Sequence, residues 1–76
     1  MADVNEIRAL KASLRGAIET AQSLAALQPK VEALDEHAES GAELLDDLAR
    51  LTAAHAVASA AVRGLVVTML KRREAA

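Results

Sequence analysis

The chain has no cysteine and no aromatic residue, and only one proline, three glycines and two histidines. Without cysteine it can form neither a disulfide nor a thiolate metal site, and cysteine usage says nothing of the redox compartment. Two histidines fall short of a zinc ligand set. Without Phe, Tyr or Trp there is nothing to stack on a nucleobase, and nothing of the type that usually dominates cores and interfaces. Charge of one sign is also scarce: a net charge of −2 argues against a chain that seeks polyanions or polycations. The start, Met1-Ala2-Asp3-Val4-Asn5-Glu6, is polar and acidic, so no secretory signal is expected and a cytoplasmic location is the default.

What is present is alanine and leucine, nineteen and eleven of them in 76 residues. Both head the helix-propensity scale, and the β-branched residues are few and scattered, so the fold expected is all-α. The length allows one helical domain, residues 1–76, with 74–76 frayed. A core of this size rarely supplies more than about 3–5 kcal/mol without a staple. Close helix packing or oligomerisation is left to stabilise it.

Three helices are expected, over about residues 3–27, 29–40 and 41–73. Asp3 is a fitting N-cap, and Glu6 three residues on makes a capping-box-like pair. Val4, Ile7, Leu10, Leu14, Ala17, Ile18, Ala21, Leu24 and Ala25 recur at the spacing of one helical face. Gln28-Pro29 is the best boundary, since the residue before proline avoids helical angles and proline suits a first helical position. A single kinked helix through Pro29 is the alternative. Ser40 and Glu43 have capping-box spacing around Gly41, which marks a second break. The architecture expected is thus an antiparallel helical hairpin or an elongated three-helix bundle with coiled-coil-like packing.

A reversal at residues 28–29 sets residues opposite one another when their numbers sum to about 57. Glu6 then falls near Arg50, Lys11 near Asp46 or Asp47, and Arg15 near Glu43. All are opposite in sign, although Arg8 near Arg50 is not. Such exposed pairs are worth about 0–1 kcal/mol each, so they select a pairing more than they stabilise it. On this rule residues 56–73 project about 27 Å past the first helix.

Few residues suggest chemistry. His37 and His55 have no Cys, Asp, Glu or second His three or four positions away, as a helical metal pair requires. His55 reads as an interface histidine with its polar edge satisfied, or as a pH-sensitive element. The acids of residues 32–47 lack the glycine-centred loop of a calcium site and read as a solvated face. Lys71, Arg72 and Arg73 complement a helix C-terminus. No cofactor, metal or small-molecule substrate is indicated, and neither catalysis nor nucleic-acid binding is expected. Residues 53–70 are barely long enough to span a membrane, and a central Arg63 costs about 2.5–3.5 kcal/mol there, so integral insertion is not expected.

The same stretch is better suited to a protein interface. Leu51, His55, Ala58, Val62, Leu65, Val66, Met69 and Leu70 form its candidate contact stripe. Ala49, Ala53, Ala56, Ala60 and Gly64 form a second, small-residue face open to close helix packing. The function expected is a non-enzymatic interaction or assembly protein that self-associates, as a homo-oligomer, or docks a helical partner. An amphipathic membrane-surface helix is the reading of another class. In size and helical layout the chain looks like the short co-chaperones of type III secretion needle subunits. A co-chaperone of a secretion or phage assembly system is the narrower form of the expectation.

Overall fold

The computed structural model describes residues 3–35 and 41–75. Two helices, α1 (Val4–Glu32) and α2 (Gly41–Ala75), pack against each other as a hairpin. Asp3 caps α1, its carboxylate accepting from the Asn5 amide at 3.2 Å while its carbonyl accepts from the Ile7 amide at 3.0 Å. The capping-box half expected of Glu6 is not made, because that carboxylate pairs with Arg72 of α2 instead.

Three expectations are corrected. The first helix does not stop at residue 27: α1 runs through Pro29 to Glu32, and the Ala33 amide closes its last turn on the Pro29 carbonyl at 3.1 Å. A separate helix over 29–40 is therefore not formed. Residues 29–32 belong to α1, and 36–40, with His37 and the Ser40 cap, lie outside the described residues. Finally, the facing numbers sum to about 75, not 57. Gly16 lies beside Ala58, Thr20 meets His55, and Leu34 packs on Gly41. The 27 Å overhang disappears, and with it the pairing of Glu6, Lys11 and Arg15 with residues 43–50. Arg50 instead binds Asp46 at 3.4 Å and Asp47 along its own helix.

The physical reason is length. A turn at residue 28 would leave eighteen residues of α2 wet, each large aliphatic side chain forgoing about 1.5–3 kcal/mol of burial. Carrying α1 past one proline costs about 3 kcal/mol or more, which burial of several such side chains offsets. Helices of 29 and 35 residues can then cover each other almost end to end. Pro29 lies on the exposed side, where the carbonyl that lacks its N–H partner can be solvated. Pro29→Ala should accordingly stabilise the hairpin by about 1–3 kcal/mol, visible as a higher midpoint in thermal unfolding.

The seam is regular. Half-buried positions fall at Glu6, Leu10, Ser13, Gly16, Ala17, Thr20, Leu24, Leu27 and Leu34 of the first segment. On α2 they fall at Gly41, Leu44, Asp47, Leu48, Leu51, His55, Ala58, Ser59, Val62, Leu65 and Met69. Gly16, Asp47 and Ser59 aside, steps of three and four alternate on α2 and on α1 as far as Leu27. Leucines close the two ends, while the middle layers are small or polar. No described residue is fully buried. The molecule is a rod of 59 × 17 × 16 Å with a radius of gyration of 17.3 Å, against about 11 Å for a compact chain of this length.

Candidate functional site

At the centre of the seam, His55 is held by three contacts. Its Nδ1 lies 2.8 Å from Thr20 Oγ1 and 3.1 Å from the Ala17 carbonyl, and its Nε2 lies 3.3 Å from Ser59 Oγ. A carbonyl only accepts, so the Nδ1 carries a proton and donates across the seam. The Thr20 hydroxyl turns its own proton back to the Gly16 and Ala17 carbonyls, at 2.8 and 3.0 Å, and accepts from the imidazole. Ser59 Oγ meets the other ring nitrogen from the same helix. Every polar atom of the cluster is used within the chain. The arrangement bridges two helices through side chains that are engaged with one another.

Because each member has a partner elsewhere, removing the ring strands little: Thr20 keeps its helix carbonyls, and Ser59 can turn to its own backbone. His55→Leu should therefore be neutral or stabilising by up to about 1 kcal/mol in thermal unfolding, with less unique helix alignment.

The expected interface residues divide in two. Leu51, His55, Ala58, Val62, Leu65 and Met69 stand half-buried in the seam, opposite α1 of the same chain. Val66 and Leu70 lie outside it and are exposed. Ala49, Ala53, Ala56, Ala60 and Gly64 are all exposed, and nothing lies within 4 Å of where a Cβ on Gly64 would stand.

Sequence periodicity missed how α1 is turned. Its broad apolar stripe is wider than the seam, and the seam takes the less apolar half: Glu6, Ser13, Gly16 and Thr20 face inward. Val4, Ile7, Leu14 and Ile18 remain 60%, 37%, 47% and 48% exposed. In an antiparallel pair, equivalent flanking positions of the two helices lie on the same side. On the register above, that puts Val4, Ile7, Leu14 and Ile18 on one flank with Leu45, Val66 and Leu70, all exposed. The opposite flank carries Ala9, Ala12, Glu19 and Ser23 with Asp47, Ala54, Ala61 and Thr68. The hairpin therefore has one aliphatic side and one side of small and polar residues.

Charge divides along the length. The open end of the hairpin is built from residues 3–15 and 60–75, which hold seven bases and three acids. Residues 28–35 and 41–50, at the other end of the hairpin, hold five acids and two bases. The Glu6–Arg72 pair ties the open end together, with Glu6 Oε2 buried and without a hydrogen-bond partner. Near the turn a groove of about 370 Å³ is lined by Leu27, Lys30, Ala33, Leu34, Glu43, Leu44 and Asp47. Among the described residues no group of three His, Cys, Asp or Glu side chains could hold a metal ion. By length and composition alone, α2 is long and apolar enough to cross a membrane. Comparison with protein-family models, curated proteins and solved structures finds no match to this chain.

Proposed function

We propose that the chain is a non-enzymatic assembly protein whose hairpin completes its core by packing its aliphatic flank against another helical surface. The observation that carries this reading is the rotation of α1. A polypeptide that puts Glu6, Ser13 and Thr20 inside and leaves Ile7, Leu14 and Ile18 outside has a second apolar contact to make. The surface area agrees. The hairpin exposes 6003 Å², whereas a compact chain of 7.9 kDa exposes about 4,400 Å². The alternating three-and-four seam supports coiled-coil-like packing as the geometry of both contacts. A small subunit of a larger particle, or a co-chaperone covering an assembly-prone helix, would use the flank in the same way.

Sedimentation and thermal unfolding of the purified chain test this reading. Alone, the chain should be either larger than a monomer, with a midpoint that rises with concentration, or a loosely folded monomer that gains helix on binding a partner. A cooperative, well-protected monomer with a concentration-independent midpoint would sink it.

A second reading, membrane-surface association through α2, is supported by the apolar composition of that helix. Arg63 within the apolar stretch and the polar layer at His55 weigh against full insertion. It predicts that the monomer binds anionic vesicles, with residues 53–73 protected there.

A further inference from the structure

We infer that the occupant of the aliphatic flank is a second copy of this chain, laid antiparallel so that the acidic turn of each hairpin covers the basic open end of the other. The inference rests on the assembly reading above and adds to it the identity and direction of the partner.

Charge gives the direction. Two hairpins side by side in the same sense would set the two basic ends together and the two acidic ends together. Reversing one of them sets each basic end on an acidic end. Like charges in close apposition are penalised more reliably than opposite ones are rewarded, so direction is chosen mainly by what it avoids. A two-fold interface is one patch used twice, and it must therefore contain both halves of its own complement. This rod does, with the two signs at its two ends.

Side-chain size along the flank points the same way. The half towards the open end carries Val4, Ile7, Leu14, Ile18, Val66 and Leu70. Among apolar side chains, the half towards the turn carries Ala21, Ala25, Ala49 and Ala56, with Leu45 the one large aliphatic exception. In a parallel pair, bulk meets bulk at one end and leaves space at the other. Reversal lays the large residues of each copy over the small ones of its mate, as close packing requires. Area suffices as well: a side 59 Å long and 17 Å wide has a footprint of about 1,000 Å², above the roughly 800 Å² per partner of a stable complex.

The absence of cysteine makes the test direct. Val67, exposed on α2 and off the aliphatic flank, is changed to Cys and spin-labelled, and the mass and label-to-label distance are measured together. Val67 is twelve residues along α2 from the central His55 layer, so reversed copies place their labels about 36 Å apart or more. Parallel copies place them within about 20 Å. A second measurement uses charge. Glu32→Lys with Asp46→Lys, and separately Lys11→Glu with Arg63→Glu, should each weaken dimerisation at least tenfold at low salt, and mixing the two variants should restore pairing.

A two-copy mass with the long distance and restored mixed pairing supports the inference. A dimer with the short distance, or one indifferent to both charge variants, overturns the reversed arrangement and leaves the assembly reading standing. A loosely folded monomer also overturns it, and then the partner is another protein. A stable, cooperative monomer overturns both.

Discussion

Val62→Asp together with Leu65→Asp should abolish most of the far-ultraviolet helical signal at 25 °C, rather than release intact monomers. Both residues belong to the intrachain seam. On its register, Val62 lies opposite Ser13 and Leu65 opposite Leu10. Each substitution forfeits about 1.5–3 kcal/mol of aliphatic burial and sets a carboxylate into the seam against the facing helix. A hairpin none of whose described residues is fully buried has little stability to lose. The separated helices would then depend on propensity alone, which leaves helices marginal in water. Circular dichroism at matched concentration is the measurement. A double variant that keeps its helicity and changes only its mass would show that these residues face another molecule, contrary to the register.

The complementary pair lies on the flank. Leu14→Asp with Val66→Asp should convert an associating chain to a monomer at every accessible concentration, with a thermal midpoint that no longer depends on concentration. These side chains are 47% and 38% exposed in the hairpin, so roughly half of their apolar surface remains to be covered by a partner. In a two-fold assembly each substitution acts twice. The loss is then about 3–6 kcal/mol, equivalent to a dissociation constant raised by about two to four orders of magnitude. Sedimentation equilibrium over a hundredfold concentration range reads this directly. Unchanged association in the flank variant would exclude this face as the contact surface. Taken together, the two variants separate the contact that makes the hairpin from the contact the hairpin makes.

How much of this was legible without coordinates can be seen residue by residue. The Ala and Leu content set the helical class, Asp3 announced the first cap, and Gly41 announced the start of α2. Leu10, Ala17 and Leu24 were on the expected face of α1, and Leu51, Ala58, Val62, Leu65 and Met69 on the expected stripe of α2. The turn was misplaced because proline is the strongest local punctuation in the chain. Local preference lost to the burial of a whole second helix, a quantity no short window of sequence contains. Charge then seemed to support the wrong turn. Helices carrying bases near one terminus and acids mid-chain show opposite-sign partners in more than one register. Arg8, Lys11 and Arg15 oppose residues 43–50 only if the chain reverses at 28. With the actual reversal, those acids stand at the far end of the rod.

The candidate site was half legible for a related reason. A stripe broader than one contact says that a helix has two neighbours, but not which edge of the stripe goes to which. That was decided by polar residues. Thr20 and His55 satisfy each other across the seam, and Glu6 meets Arg72. These pairings turn α1 so that Ile7, Leu14 and Ile18 point elsewhere. Polar groups gain from a specific partner, whereas aliphatic ones accept any dry surface, so the few polar contacts bear on the rotation more than the many apolar ones, even with Glu6 Oε2 left unpaired.

Placing bases at one end of a rod 59 Å long and acids at the other makes the molecule a permanent electric dipole aligned with its own axis. Near an extended anionic sheet or polymer, within the Debye length of about 8 Å at physiological salt, such a body should be torqued before it is bound. It would approach with its basic open end leading and stand upright instead of lying flat. Polarity of this kind also gives direction to anything built from the rods, since a stack or sheet of them must alternate up and down to stay electrically quiet.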